Sequence, residues 1–190
     1  MRIISGSARG RKLTPFDGRQ IRPTPDRVRE ALFSLLISRM QGLHDLSVLE
    51  LFAGTGAQSL EAISRGARRA LLVDQSAYAV NIIQRNIAAC GFAEQTRVIH
   101  REVQAALPGI STEAPFDLIF LDPPYHSGLI PAVLEKIAAL NLLANNGIIC
   151  VETASNETVA EQPPFSPLTQ RRYGSTTIHL FGYARDNQEP

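Results

Sequence analysis

The chain has 190 residues, 44% of them apolar and 19% charged, the composition of a soluble globular protein that can bury a core without disulfides or metal. No run approaches the roughly 18 apolar residues of a membrane span. The N-terminus Met1-Arg2-Ile3-Ile4-Ser5 lacks the apolar stretch of a signal peptide, and Cys90 and Cys150 sit in apolar periodic segments as reduced residues of a cytoplasmic protein. The net charge of +1 conceals an asymmetry: residues 1–40 carry nine Arg or Lys against three Asp or Glu, residues 41–190 ten against fifteen. A basic arm on a mildly acidic body points to a polyanionic partner.

Residues 1–22 read as that arm. Arg2-Ile3-Ile4-Ser5 and Arg11-Lys12-Leu13-Thr14 flank Gly6-Ser7-Ala8-Arg9-Gly10, the pattern of a hairpin of two short strands. Residues 23–190 read as one domain. After Pro23 and Pro25, Thr24 or Asp26 can cap a helix that runs to about Met40, with Val28, Leu32, Phe33, Leu35 and Leu36 on its apolar side. Strands and helices then alternate: a strand over 47–52, a helix over 57–65, a strand over 70–73 ending at Asp74, a helix over 77–90, a strand over 96–100, a short helix near 103–107, a strand over 116–121, a helix over 129–140, a turn at Asn145-Asn146-Gly147 and a strand over 148–152. This rhythm predicts a parallel sheet covered on both faces. The tail alternates apolar with polar residues over 168–173 and 176–183 around Gly174-Ser175, an antiparallel hairpin added to the sheet edge.

Two motifs carry chemistry. Glu50-Leu51-Phe52-Ala53-Gly54-Thr55-Gly56 joins a strand to a helix, and its glycines permit a tight turn and close approach of a ligand to backbone N–H groups. The third position of a dinucleotide fingerprint falls on Ser59, against a nicotinamide cofactor. Asp74, eighteen residues after Gly56 at the next strand end, is placed to accept ribose hydroxyls. The second motif, Asp122-Pro123-Pro124-Tyr125, ends the strand over 116–121 abruptly, because two prolines cannot extend a sheet ladder. It leaves a carboxylate and free carbonyls to accept hydrogen bonds from an exocyclic NH2 group, and a ring to stack on the base that carries it. Gly54, Asp74, Glu102 and Asp122 all fall at strand ends and should meet in one crevice. The donor suited to methylating an amine there is S-adenosyl-L-methionine. His44, His100, His126 and His179 have no ligand spacing, so no metal is expected.

These residues resemble a family, the bacterial RsmD-type 16S rRNA guanine-N2 methyltransferases within the class I methyltransferases. The resemblance spans nearly the whole chain: Arg2-Ile3-Ile4-Ser5-Gly6 with Gly10-Arg11-Lys12-Leu13, the segment from Arg22 to Phe33, Glu50 to Gly56, Asp122 to Tyr125, and Tyr173-Gly174. It implies a Rossmann-like α/β fold with a mostly parallel seven-stranded sheet, S-adenosyl-L-methionine as cofactor, and a guanine of 16S rRNA, in an assembled or partly assembled small subunit, as target. By this resemblance Gly54, Thr55 and Gly56 wrap the methionine end of the cofactor, Asp74 the ribose and the Glu102 region the adenine, with Glu50, Phe52, Gln75, Val103 and Thr24 completing the cofactor set. Asp122 and the carbonyl of Pro123 hold N2, beside Pro124, and Tyr125 stacks on the base. Arg9, Arg11, Lys12, Arg22, Arg27 and Arg29 are the candidate phosphate contacts. Two positions depart from the pattern: Asp74 stands for the more usual Glu, and Glu102 where class I enzymes often have Asp. Two other readings stay open, a DNA amino-methyltransferase sharing the Asp-Pro-Pro-Tyr element and a non-catalytic RNA-binding module retaining the fold.

Overall fold

The apolar runs form a seven-stranded sheet in the order β3-β2-β1-β4-β5-β7-β6. The structure is a computed structural model describing residues 1–16, 26–160 and 162–184. The elements are α1 (Asp26–Met40), β1 (Ser47–Leu51), α2 (Ala57–Ser64), β2 (Arg69–Asp74), α3 (Ala77–Cys90), β3 (Thr96–His100), α4 (Val103–Ile110), β4 (Phe116–Leu121), α5 (Ile130–Ala139), β5 (Leu143–Ala154), β6 (Phe165–Tyr173) and β7 (Thr176–Tyr183). Strands β1 to β5 are parallel, and β7 and β6 close the edge as an antiparallel hairpin. The expected fold class, with its C-terminal hairpin, is the one observed.

Alternation along each strand divides the core into two layers. Val48, Leu72, Leu118, Phe120, Ile148 and Cys150 pack under α1, α2 and α3. Leu49, Leu51, Leu71, Val73, Ile119, Leu121 and Val151 pack against α4 and α5. Burial on both faces is why β1 and β4 read as continuous apolar runs, and Glu50 is conspicuous as the one acid inside the first of them.

Three boundaries differ from expectation. Asn145-Asn146-Gly147 is not a turn before a strand. Phe116 pairs with Leu143 and Leu118 with Ile148, so five steps on β5 oppose two on β4 and the three residues form a bulge inside a longer strand. β6 starts at Phe165, and tolerates Pro167 because it is an edge strand with a register shift beside that residue. α4 runs past Pro108 to Ile110. Proline has no N–H for the carbonyl of Gln104, and Lys136 Nζ on α5 donates to that oxygen instead at 3.1 Å.

The N-terminal hairpin is docked on the helical layer. Its pairing is a single bridge, Arg2 with Lys12, rather than two strands. Ile3, Ala8 and Leu13 are buried in the same core layer as α1 and α2. Gly6 has φ +85°, and a Cβ there would lie 1.7 Å from the carbonyl oxygen of Ser64 at the end of α2, so only glycine fits. Beside it, Ser7 N donates to Ser64 O at 2.7 Å, and Ala8 N to Ser64 Oγ at 2.9 Å.

Glu61 holds the hairpin from below. Its fully buried carboxylate accepts from Ile4 N at 2.7 Å, Ser5 N at 3.0 Å and Arg65 Nε at 2.6 Å. Arg29 Nε lies 4.0 Å from the same group, while its Nη2 bonds the Arg2 carbonyl and Asp26 Oδ1. Truncation of Glu61 strands two backbone donors and a guanidinium away from water. Glu61→Ala should therefore lose about 3–5 kcal/mol of stability in urea unfolding. A loss below about 1 kcal/mol, the worth of one ordinary hydrogen bond, would show that the hairpin does not depend on this carboxylate.

Candidate active site

The parallel strands deliver their carboxyl ends to one edge, the place where sheets of this kind bind ligands. Glu50 and Asp74 extend the side-chain alternation of Val48 and Leu72, and Asp122 and Glu152 that of Phe120 and Cys150. All four acids thus fall toward the layer of α1 to α3.

The chain from β1 to Gly56 turns through three alternate residues of positive φ. Phe52, Gly54 and Gly56 have φ of 59°, 58° and 73°. For Phe52 this is the left-handed region that side chains avoid, a strain typical of ligand-binding loops. A Cβ on Gly56 would meet Leu72 Cδ2 at 2.9 Å with φ at 73°, so any other residue there would be strained and would push on β2. Asp74 Oδ2 accepts from Gly54 N at 2.9 Å and Oδ1 from Ser76 N at 2.8 Å. The carboxylate expected to take ribose hydroxyls is therefore also the brace of the glycine loop, and each oxygen keeps a lone pair for a ligand. Thr55 is tied from the other side. Asn86 Nδ2, fully buried on α3, donates to Thr55 O at 2.9 Å and to Thr14 O at 3.2 Å, and its Oδ1 accepts from Thr14 N at 2.7 Å. Phe16 then lies over the loop, 3.2 Å from the Cβ position of Gly54, with its ring 5.7 Å from that of Tyr78. Sequence reading missed Asn86 and Phe16. A buried Asn within an apolar helix was the available signal.

Glu50 and Glu102, like Asp74, are held by backbone N–H groups of the turn that follows them. Glu50 Oε2 accepts from Ser59 N at 2.8 Å, serving the first turn of α2, whose N-cap, Gly56, has no side chain to do so. Glu102 caps α4, accepting from Gln104 N at 2.9 Å and Ala105 N at 2.7 Å. Gln75 bonds His100 through its carbonyl, and Val103 is buried. Asp122 is followed by Pro123 and Pro124, which have no N–H to offer. Its carboxyl is pushed well above the usual range, first by burial and then by the charges of Glu152 and Glu50.

Tyr125 is 46% exposed at the rim. Its hydroxyl pairs with Thr176 Oγ1 at 3.2 Å and donates to Glu152 Oε1 at 3.4 Å, and burial raises its pKa. Glu152 and Thr176, both buried, are parts of the site that sequence reading passed over. The signal for Glu152 was an acid closing the apolar run Ile148–Val151, as Asp74 closes its own.

The basic candidates separate. Arg9, Arg11, Lys12 and Arg27 are exposed. Arg29 is corrected: it is 2% exposed and committed to Asp26, Glu61 and the Arg2 carbonyl, so it cannot meet an external phosphate. Its guanidinium replaces an apolar contact on the helix face, which periodicity could not foresee. Arg22 and Thr24 lie outside the described residues. Among the described residues no group of His, Cys, Asp and Glu has metal-binding geometry, and no helix is long and apolar enough to cross a membrane.

A family model described as Conserved hypothetical protein 95 matches residues 1–182. The chain belongs to that family. It is 32% identical over 183 residues to ribosomal RNA small subunit methyltransferase D of Haemophilus influenzae, covering 95% of this chain and 93% of the relative. It is 36% identical over 153 residues to the protein of the same name from Escherichia coli, covering 80% and 74%. Among solved structures, Escherichia coli yhhF, described as a candidate methyltransferase, has a TM-score of 0.83 at 30% identity and covers 98% of this chain and 99% of its own. The family resemblance and the class I methyltransferase fold expected from the sequence are both borne out.

Burial pushes the Glu50 carboxyl up from 4.5 to about 7 against the opposing hydrogen bond from Ser59. The folded state therefore holds a proton between pH 4.5 and 7 that the unfolded chain has released. The stability contributed by this group is full below pH 4.5 and is lost as pH rises to about 7. Glu50→Gln, which keeps an acceptor for Ser59 N, should remove that part of the pH dependence, a difference on the order of 3 kcal/mol between the ends of the window. Parallel pH profiles of urea unfolding for wild type and variant would disprove the burial of a titrating Glu50.

Proposed function

We propose that the protein transfers a methyl group from S-adenosyl-L-methionine to the exocyclic N2 of a guanine in 16S rRNA, within an assembled or partly assembled small ribosomal subunit of the cytoplasm. The observation that carries this reading is the adjacency of two strand ends. β1 delivers the glycine loop with Asp74 behind it, and its neighbour β4 delivers Asp122-Pro123-Pro124-Tyr125. The names of the relatives supply the class of substrate.

The residues fit the cofactor. The carboxylate of Asp74 can receive ribose hydroxyls without releasing Gly54. S-adenosyl-L-methionine supplies an electrophilic methyl on a sulfonium, so the chain need only position the amine. The Asp122 carboxylate and the Pro123 carbonyl accept the two N2 hydrogens and hold them out of the base plane, returning the nitrogen lone pair from the ring. Because Pro123 and Pro124 have no N–H, the acceptor capacity of Asp122 is left for the substrate. The ring of Tyr125 stacks on a base extruded from its helix, and its hydroxyl bonds to Thr176 and Glu152 fix the angle of that ring. The N2 proton becomes acidic once the carbon–nitrogen bond forms, so orientation and electrostatics do most of the work.

Incubation with labelled S-adenosyl-L-methionine and unmodified small subunits, free 16S rRNA or DNA, followed by nucleoside analysis, tests the assignment. N2-methylguanosine from the subunits is expected, and label in DNA amines or none at all overturns it. Asp122→Ala should lose turnover by at least about a hundredfold while retaining cofactor affinity and fold. A wild-type rate for the folded variant removes Asp122 from the reaction.

Arg9, Arg11 and Lys12 present the exposed side of the hairpin to RNA phosphates. Replacing all three with Ala should weaken RNA binding and flatten its dependence on salt, with cofactor affinity unchanged. An unaltered salt slope would make the hairpin a cover for α2 and nothing more.

A further inference from the structure

The Asp-Pro-Pro-Tyr element grips an exocyclic amine, and guanine, adenine and cytosine all carry one. It does not by itself choose the base. We propose that Glu152 makes that choice by accepting the N1–H of the target guanine beside the N2 that Asp122 holds. This deepens the guanine-N2 reading above and rests on it.

The pairing of Leu121 with Val151 in parallel register brings the next residues, Asp122 and Glu152, side by side at the ends of β4 and β5. Their mutual charge repulsion registers in the raised proton affinity of Asp122. Glu152 is 5% exposed, and its Oε1 receives the Tyr125 hydroxyl at 3.4 Å. The carboxylate therefore lies between the amine acceptor and the rim of the stacking ring. The edge of a base stacked on Tyr125 and held at Asp122 falls there. Glu50 is not an alternative. It pairs in register with Phe120, two residues deeper than Asp122, and its carboxylate serves the first turn of α2.

The chemistry separates the bases. Guanine presents two adjacent donors, N1–H and N2–H2, which suit two adjacent carboxylates. Adenine presents its amine beside bare N1, and cytosine its amine beside bare N3. In either of these a lone pair would face the Glu152 carboxylate, and the hydrogen bond from N1 would be lost. Sites built around such a bond reject ligands lacking it far more strongly than a shape difference does.

2-Aminopurine isolates the claim, because it keeps the C2 amine and has no hydrogen on N1. Small subunits reconstituted with 2-aminopurine at the target position are compared with guanine-containing ones, using wild type and Glu152→Gln. Wild type should methylate the guanine substrate faster by at least about a hundredfold. Glu152→Gln, whose amide can donate to a bare N1, should slow the guanine reaction and bring the two rates within about tenfold, with cofactor affinity retained. A purely structural role would lower both rates and leave their ratio in place. Wild type that modifies both substrates equally, or a folded variant with the wild-type ratio, overturns the assignment of Glu152 while the guanine-N2 reading stands. The comparison of substrates on wild type holds even if the variant does not fold. Absence of any guanine methylation by wild type overturns both.

Discussion

Much at the functional edge follows from ending the strands of one parallel sheet in acids whose oxygens must find donors, two of them, Glu50 and Glu152, buried. A carboxylate at the end of a strand takes the donors that lie nearest, and a buried one must have them. Glu50, Asp74 and Glu102 obtain them from the backbone of the turn each precedes: Ser59, Gly54 with Ser76, and Gln104 with Ala105. These bonds shape the loops. Asp74 draws the glycine loop against β2, and Glu50 stands in for the cap that Gly56 cannot provide. Asp122 breaks the pattern because prolines follow it. Burial and the charges of Glu152 and Glu50 raise its proton affinity instead.

The hairpin at the N-terminus is tied to the same site through the helices. Glu61 and Ser64 on α2 take its backbone donors, and Asn86 on α3 joins Thr14 to Thr55. Phe16 completes the path by covering Gly54. One face of the hairpin is thus core, and the other carries Arg9, Arg11 and Lys12 outward. The basic surface of the hairpin and the glycine loop are parts of one packed unit. Arg29, though charged, belongs to the packing. It joins Asp26 on its own helix to the buried Glu61 on α2.

Much of this was legible in the chain itself. The alternation of apolar strands with ten-residue helices determined a doubly wound sheet, because only a sheet buried on both faces uses strands of that kind. Gly54-Thr55-Gly56 and Asp122-Pro123-Pro124-Tyr125 announced themselves through backbone rules, since glycine and proline constrain φ and N–H wherever they stand. Helix α3 and strands β3 and β4 fell on their expected residues, each bounded by a glycine, a cap or a proline.

What only the tertiary structure decided depends on register and on distant partners. Glu152 joins Asp122 because β5 pairs with β4 after a bulge of three residues, and no local pattern specifies that pairing. Arg29 and Arg27 are near neighbours of like charge on one helix, yet one is core and the other surface. The acids that make the difference lie at position 26 on α1 and position 61 on α2. A sequence states which groups are present and how the chain bends locally. Which charges share a low dielectric is settled only when strands separated in the sequence lie side by side.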